Sequence, residues 1–509
     1  MGLLSTTSCR KNANPHWDTQ IVAPIITSRL DVGDIFGDEN VVGNPDQSMS
    51  LNVFQKIEML QTDLVLQMDD TLSTDIFNLP FTITISPGQK VIEKQNLTTL
   101  DFGEMELSLA RASTAKMKFY VTNTITQPLL VKYTLTSASK NGVIFEVTET
   151  VDAATDTTNT YVVKTIDLDE YEIDMTGPSH NSFNTIYSTT TVWIHPDADT
   201  VIVTPFDSVI IISTFDEFIP EYAHGYIGKH QLDEQGSSPI KVFGDFKEGS
   251  FDLQNVKATI DINNYIGADL SFELQNLSTK KNSPLQQVSL NHSVIGTTIN
   301  MLRASESNIP TYPVWPQNKN IDISNSNLDQ MIEIMPDSFR FHIAATINPL
   351  GNISSGNDFI YFNHGVDAKI SLDIPLNFSA NNLIIEDYSS FSFDNESVKS
   401  GQLNIYLENL FPFDLDVQFY LLNNEEQIID SLFGGNTIVK AAETMNGIAS
   451  VPFASELNVE LNSQLLNSLH QSSKMLIRAR INSSANQPYI LYEHYGMDIK
   501  IVGDFNYEY

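Results

Sequence analysis

Residues 119–133 read F-Y-V-T-N-T-I-T-Q-P-L-L-V-K-Y. The pattern returns as I-D-I-N-N-Y-I-G-A-D-L-S-F-E-L over 260–274 and as I-Y-L-E-N-L-F-P-F-D-L-D-V-Q-F over 405–419. Each copy runs apolar-x-apolar-x-Asn-x-apolar, then a turn, then Leu-x-apolar-x-apolar. Alternation of this kind marks a strand with one buried face. The shared asparagines are Asn123, Asn264 and Asn409. A period of about 140 residues is too long for a solenoid and fits tandem domains.

The flanks extend the repeat. Tyr361-F-N-H-G-V-D-A-K-I lies over Tyr492-E-H-Y-G-M-D-I-K-I, and F-H-I-A-A-T-I-N (341–348) over M-L-I-R-A-R-I-N (475–482). Short helical patterns open at Asn325 and Asn462, residues that suit an N-cap, with a weaker counterpart from Pro178. The chain is therefore expected to be mainly β: three tandem antiparallel β-sandwich domains, each with one short helix, plus a small N-terminal β segment. The expected boundaries are 1–22 (an N-terminal tether), 23–95 (a small β domain or a cap), and repeats over 96–248, 249–388 and 389–509. Within the first repeat, V-I-V-T-P-F-D-S-V-I-I-I-S (201–213) reads as one strand too apolar for an edge. I-F-N-L-P-F-T-I-T-I-S-P-G-Q (76–89) reads as a strand closed by a Pro-Gly turn.

Composition narrows the function. Asp and Glu outnumber Lys and Arg 63 to 28, for a net charge of −35. Nucleic-acid binding needs a basic surface, as does a polybasic grip on anionic lipid, so both are excluded. With 41% hydrophobic residues each repeat can bury a core. The single cysteine, Cys9, permits no intramolecular disulfide.

The chain opens M-G-L-L-S-T-T-S-C-R-K-N. A lone cysteine behind small residues resembles a bacterial lipoprotein processing site, with Thr6 where Leu is usual. That resemblance implies lipidation at Cys9, a polar tether and a folded body held at an outer membrane. Which membrane face it occupies stays open. The texture of I-P-L-N-F-S-A-N-N-L-I-I-E-D (374–387) and Trp17-Asp18 also resembles large lipoproteins of Bacteroidota.

Residues 405–421, followed by G-I-A-S-V-P-F-A-S-E-L-N-V-E-L (447–461), the short helix and the closing strands, resemble type 2 late-embryogenesis-abundant (WHy) domains. In that family an Asn-Pro-apolar turn follows the first strand. Here Asn409-Leu410 stands in its place, with Pro412 two positions on. The resemblance implies a small non-enzymatic β-sandwich with a helix.

Candidates for chemistry are sparse. His224-Gly225, His364-Gly365 and His494 near Gly496 suggest a repeated ligand, but no second His or Cys stands at ligand spacing. A turn-flanking ring packed on the sheet is the expected role. Asp367/Lys369 and Asp498/Lys500 share strand faces and read as weak surface ion pairs. Asp69-Asp70 and Asp167/Asp169/Glu170 lack a calcium-loop pattern. There is no G-x-S-x-G, P-loop or dinucleotide fingerprint. Neither an enzyme, nor a metal, nor a cofactor is expected. Tyr312 and Trp315, among Pro310, Pro313 and Pro316, form the one loop that suggests a ligand platform. The expected function is a structural or scaffolding lipoprotein of the cell envelope, partnered by other envelope proteins such as a β-barrel complex. The alternative is a lipid- or glycan-binding β-sandwich.

Overall fold

The computed structural model describes residues 18–36, 40–60, 71–155, 159–243, 249–309, 312–362, 364–393, 398–483 and 488–508. Cys9 and the Asp69-Asp70 pair lie outside them. The described chain is mainly antiparallel β-sheet.

One pair of sheets occurs three times, and we call each occurrence a module. In module 3 the first sheet has the order Asp18–Asp31, Gly496–Glu508, Val398–Asn409, Phe453–Glu460. Module 2 repeats that order with Met49–Leu60, Val366–Pro375, Lys257–Asn264 and Gln317–Asp322. Module 1 repeats it with Thr71–Asn78, Ser208–Tyr226, Glu106–Asn123 and Thr160–Asp167. The second sheet is likewise common. Its order is Leu383–Ser390, Lys474–Ile481, Leu415–Leu422, Ile428–Ser431 in module 3, and His230–Pro239, Ser338–Ile347, Leu270–Lys281, Gln286–Ser289 in module 2. In module 1 it is Lys90–Thr99, Thr185–Ile194, Leu129–Lys140, Val143–Val151. There the short strand Glu172–Asp174 joins the two sheets.

The inner faces follow from sequence alternation. Met117, Phe119 and Val121 are fully buried in module 1, Ile260 and Ile262 are buried in module 2, and Leu403, Ile405 and Leu407 are fully buried in module 3. The shared asparagine ends this inward row at 0% exposure in all three modules. Asn123 Oδ1 accepts the Ile125 N–H at 2.8 Å, and its Nδ2 donates to the carbonyls of Gln127 (3.0 Å) and Asp152 (2.9 Å). Asn264 repeats this with Ile266, Ala268 and Leu302, and Asn409 with Phe411, Phe413 and Lys440. One side chain thus satisfies an N–H and two carbonyls where the turn leaves the sheet. A buried backbone group left without a partner is costly, so the position selects an amide.

The described strands of residues 23–95, expected as a separate small domain or cap, pair into the sheets of the three modules. Residues 18–78 form an arm that gives a long strand to the first sheet of each module, in reverse order, and Val41–Gly43 adds a short edge strand in module 2. Asp18–Asp31 joins module 3, Met49–Leu60 module 2 and Thr71–Asn78 module 1, each antiparallel to the last strand of its module. The arm buries Ile26, Leu30, Leu51, Ile57 and Phe77. Residues 18–22, expected in the tether, are already strand. Two other strands fall on the far side of an expected boundary. His230–Pro239 pairs in module 2 and Leu383–Ser390 in module 3.

Helices stand where Asn325 and Asn462 suggested, as Leu328–Glu333 and Ser463–Gln471. Asn462 caps the second by accepting the Leu465 N–H at 2.9 Å. In module 1 the counterpart after Pro178 makes turns, with Gly177 and His180 at positive φ. Residues 201–213 are two strands, Val201–Val203 and the start of Ser208–Tyr226. Pro205 has no N–H for a ladder. Asp207 closes the intervening turn by accepting from the Thr204 N–H at 2.7 Å.

Candidate functional site

The Trp315 loop lies where modules 1 and 2 meet. The crossover of module 2 carries a short strand, Asp358–Tyr361, which pairs with residues 222–225 of module 1. Beside it, Ser305–Ile309 and Tyr312–Trp315 form a hairpin whose Val314 packs with Tyr222, Ala304 and Phe359. Two glycines allow the close approach. A Cβ on Gly225, at φ +137°, would lie 2.3 Å from the Glu106 carbonyl oxygen, and one on Gly267 would lie 2.2 Å from the Phe359 ring.

Most polar groups of this junction pair with one another, and the buried Asn348 Oδ1 stands without a hydrogen-bond partner. Tyr222 Oη donates to Glu306 Oε1 at 2.7 Å, and the Tyr222 and Tyr361 rings sit 4.7 Å apart. Arg111 lies over the Tyr222 ring and donates through Nε to Glu221 at 2.9 Å. Burial, then the Glu306 carboxylate, pushes the Tyr222 hydroxyl far above its ordinary pKa. It stays protonated and acts as a donor, with no role as a base. Deeper in the junction Asp358 is fully buried. It accepts from Asn348 Nδ2 at 2.7 Å and from Arg303 at 3.3 Å. A charge buried this way needs such partners. The arrangement fastens one module to the next.

Trp315 is 55% exposed on the outer side of the hairpin. Tyr312 pairs through its backbone with Ile309, and its side chain lies outside the described residues. The hairpin's buried side packs the junction, a role that the Pro-aromatic composition alone did not reveal.

A second concavity, an open cleft of about 570 Å³, is lined by Asp252, Asn291, Asn327, Asp329 and Glu333 beside helix Leu328–Glu333. Its acceptors are engaged in holding the backbone. The Leu253 N–H donates to Glu333 at 3.0 Å, the Val256 N–H to Asp329 at 3.0 Å, and the Asn291 N–H to Asn327 at 2.7 Å. Burial raises the Glu333 pKa against the opposing Leu253 hydrogen bond, and neighbouring Asp252 adds to the rise.

The histidines have three different local roles. His224 Nδ1 sits 2.9 Å from Ser108 Oγ, His364 packs near Tyr265, and His494 Nε2 lies 3.3 Å from the Ala449 carbonyl. Among the described residues no group of three or more His, Cys, Asp or Glu is placed to hold a metal ion. Asp167 and Asp169 accept backbone N–H groups, and Glu170 pairs with Lys140 at 2.8 Å. The expected Asp/Lys surface pairs are replaced by contacts to other strands. Asp498 binds Arg29 of the arm through two oxygens at 2.8 and 3.0 Å. Asp367 accepts from Asn263 at 2.9 Å, and Lys369 Nζ stands 4.1 Å from the centroid of the arm's Phe54 ring. Asp498 in module 3 and Lys369 in module 2, at different positions of the repeat, therefore help hold the arm, which sequence reasoning missed because the partners are hundreds of residues away.

No family model matches the chain, and no curated protein matches it. Among solved structures it is similar to a protein from Parabacteroides distasonis ATCC 8503 assigned as secreted, at 12% identity and a TM-score of 0.29, over 53% of this chain and 82% of that one. At that score the likeness bears on neither fold details nor function.

Proposed function

We propose that this chain is a non-enzymatic lipoprotein of the cell envelope, anchored at an outer membrane through Cys9, that serves as a scaffolding subunit for other envelope proteins such as a β-barrel complex. The observation that carries the reading is the arm. One continuous segment adds a strand to three modules in turn, so that separating the modules requires stripping paired strands from sheets. That is the construction of a load-bearing row and adds nothing to a catalytic pocket. The feature common to all modules, the buried asparagine, is engaged in closing a turn, and it also supports the likeness to WHy domains. The anchor position fits as well. Cys9 lies nine residues before Asp18, so a lipid there would hold the row by its module 3 end.

A lipid- or glycan-binding role has one observation in its favour. Between the sheets of module 2 lies a wholly apolar gap of about 20 Å³, bordered by Ile262, Phe272, Leu274, Phe341 and Ile343. That is room for about one water-sized group, so an acyl chain would need the sheets to part.

The test is mass spectrometry of the mature N-terminus made in a native-like host from the full upstream reading frame. Acyl mass on Cys9 and membrane fractionation are expected, followed by co-purification of a defined envelope complex. An unmodified Cys9 in the soluble fraction would end the anchored reading.

A further inference from the structure

The outer face of the first sheet differs sharply between modules at equivalent positions. Three residues before the shared asparagine, the row across module 2 is Asn320, Asp261, Lys369, Lys56, and across module 3 it is Glu456, Tyr406, Lys500, Thr27. In module 1 the same row is Val163, Tyr120, Ile212, Thr74. One residue before the asparagine, module 3 has Ala454, Glu408, Asp498, Arg29, while module 1 has Tyr161, Thr122, Ile210, Ile76. In a chain of net charge −35, two successive rows of module 1 carry no charge. Tyr161 is 72% exposed, Ile76 59% and Val163 47%.

The face continues onto the end of the module remote from module 2. Asn78 pairs with Ser208, and Ile83 with Val203, so the loops 79–82 and 204–207 are held directly opposite each other. Both contain Pro-Phe, as Pro80-Phe81 and Pro205-Phe206. Phe206 is 95% exposed and Phe81 57%. In modules 2 and 3 the crossover before the last strand docks on the preceding module, through Asp358–Tyr361 on module 1 and Tyr489–Ile490 on Asn377–Asn381. In module 1 the equivalent crossover presents Phe206.

We propose that this face of module 1 is a self-association surface that packs against the same face of a second copy of the chain. Its two uncharged rows suit face-to-face sheet packing. Twofold pairing of one patch with itself is the commonest form of oligomer. The exposed apolar side chains amount to on the order of 700 Å² per copy, close to the ~800 Å² per partner of a stable interface. Asp207, next to Phe206 in the chain, disfavours phosphate headgroups as the occupant. Association is apolar and opposed by long-range repulsion between two acidic copies, so added salt strengthens it.

The test is sedimentation of the full chain across concentration, with Tyr161→Asp, Phe206→Asp and, as a control on another exposed apolar side chain, Leu285→Asp. A mass twice that of the chain is expected for the wild type and for Leu285→Asp. The dissociation constant should fall between about 50 mM and about 500 mM salt. Tyr161→Asp and Phe206→Asp should raise it at least ~100-fold while melting like the wild type, since both side chains are largely exposed. A monomeric wild type at about 100 μM, or Asp variants that stay dimeric, overturns the proposal. So does flotation of a monomeric wild type with phosphatidylcholine vesicles that Phe206→Asp abolishes, which would give the face to a lipid surface.

Discussion

Modules 1 and 3 share a topology and differ at their margins. In module 3 the arm strand Asp18–Asp31 runs the length of the closing strand, from the Asp18–Glu508 pair to the Asp31–Gly496 pair. It buries Ile26 and Leu30, binds Asp498 through Arg29, and reaches the second sheet where Ser28 Oγ donates to Asp387 at 3.0 Å. In module 1 the described arm strand, Thr71–Asn78, pairs with residues 208–215 of the closing strand. Phe77 is buried there, while Ser73 and Asp75 turn inward to accept from Asn96 at 3.1 and 2.9 Å. In the two rows nearest the shared asparagine the outer face is charged in module 3 and uncharged in module 1. A common strand order thus leaves room for opposite surfaces. Module 3 presents charged rows at this face, and module 1 presents apolar ones.

The contrast breaks most readily at the arm. A chain beginning at Val32 should lose protection against hydrogen exchange across 496–508 by orders of magnitude, with 208–215 unchanged, because an edge strand and the Leu30 core contact disappear together. Undiminished protection in 496–508 would mean that module 3 stands without the arm.

The shared part of the comparison is tested at the asparagines. Asn123→Ala, Asn264→Ala and Asn409→Ala should each cost about 3 kcal/mol, since each strands an N–H and two carbonyls in a buried turn. Denaturant unfolding read module by module would show it. Indifference in any one module would show that its turn is held by other means.

Arg29→Ala should cost under ~1 kcal/mol, and less as salt rises, because both partners of the Asp498 pair are about half exposed. A larger thermal shift would make that pair, rather than strand pairing and burial, the main hold on the arm.

The smallest effect lies in module 2, at Glu333. A carboxyl whose folded pKa is raised keeps its proton longer in the native state. Stability is therefore unaffected below the ordinary glutamate pKa and falls as pH rises through the raised value. Glu333→Gln, which can still accept from the Leu253 N–H, should melt with the wild type near pH 4 and on the order of 1 °C above it near neutrality. A constant gap across pH would assign the effect to packing.

By itself the sequence determined the β class, the threefold repeat, the strands on either side of each asparagine and two of the helices. These rest on local chemistry: alternation at period two, an amide where a turn leaves buried groups, and a cap residue before a helical run. It also showed the apolar stretches 76–89 and 201–213, though Pro205 divides the second into two strands with an exposed Phe206 between them. Only the tertiary structure decided which sheet each arm strand enters. Alternation identifies a strand without identifying its neighbour, and Gln20 meets Asp504 across 484 residues. The same limit hid the work of Asp498 and Lys369, the packing role of the Trp315 hairpin and the contrast between outer faces. Each depends on residues brought side by side by pairing between distant strands, which composition and spacing do not encode.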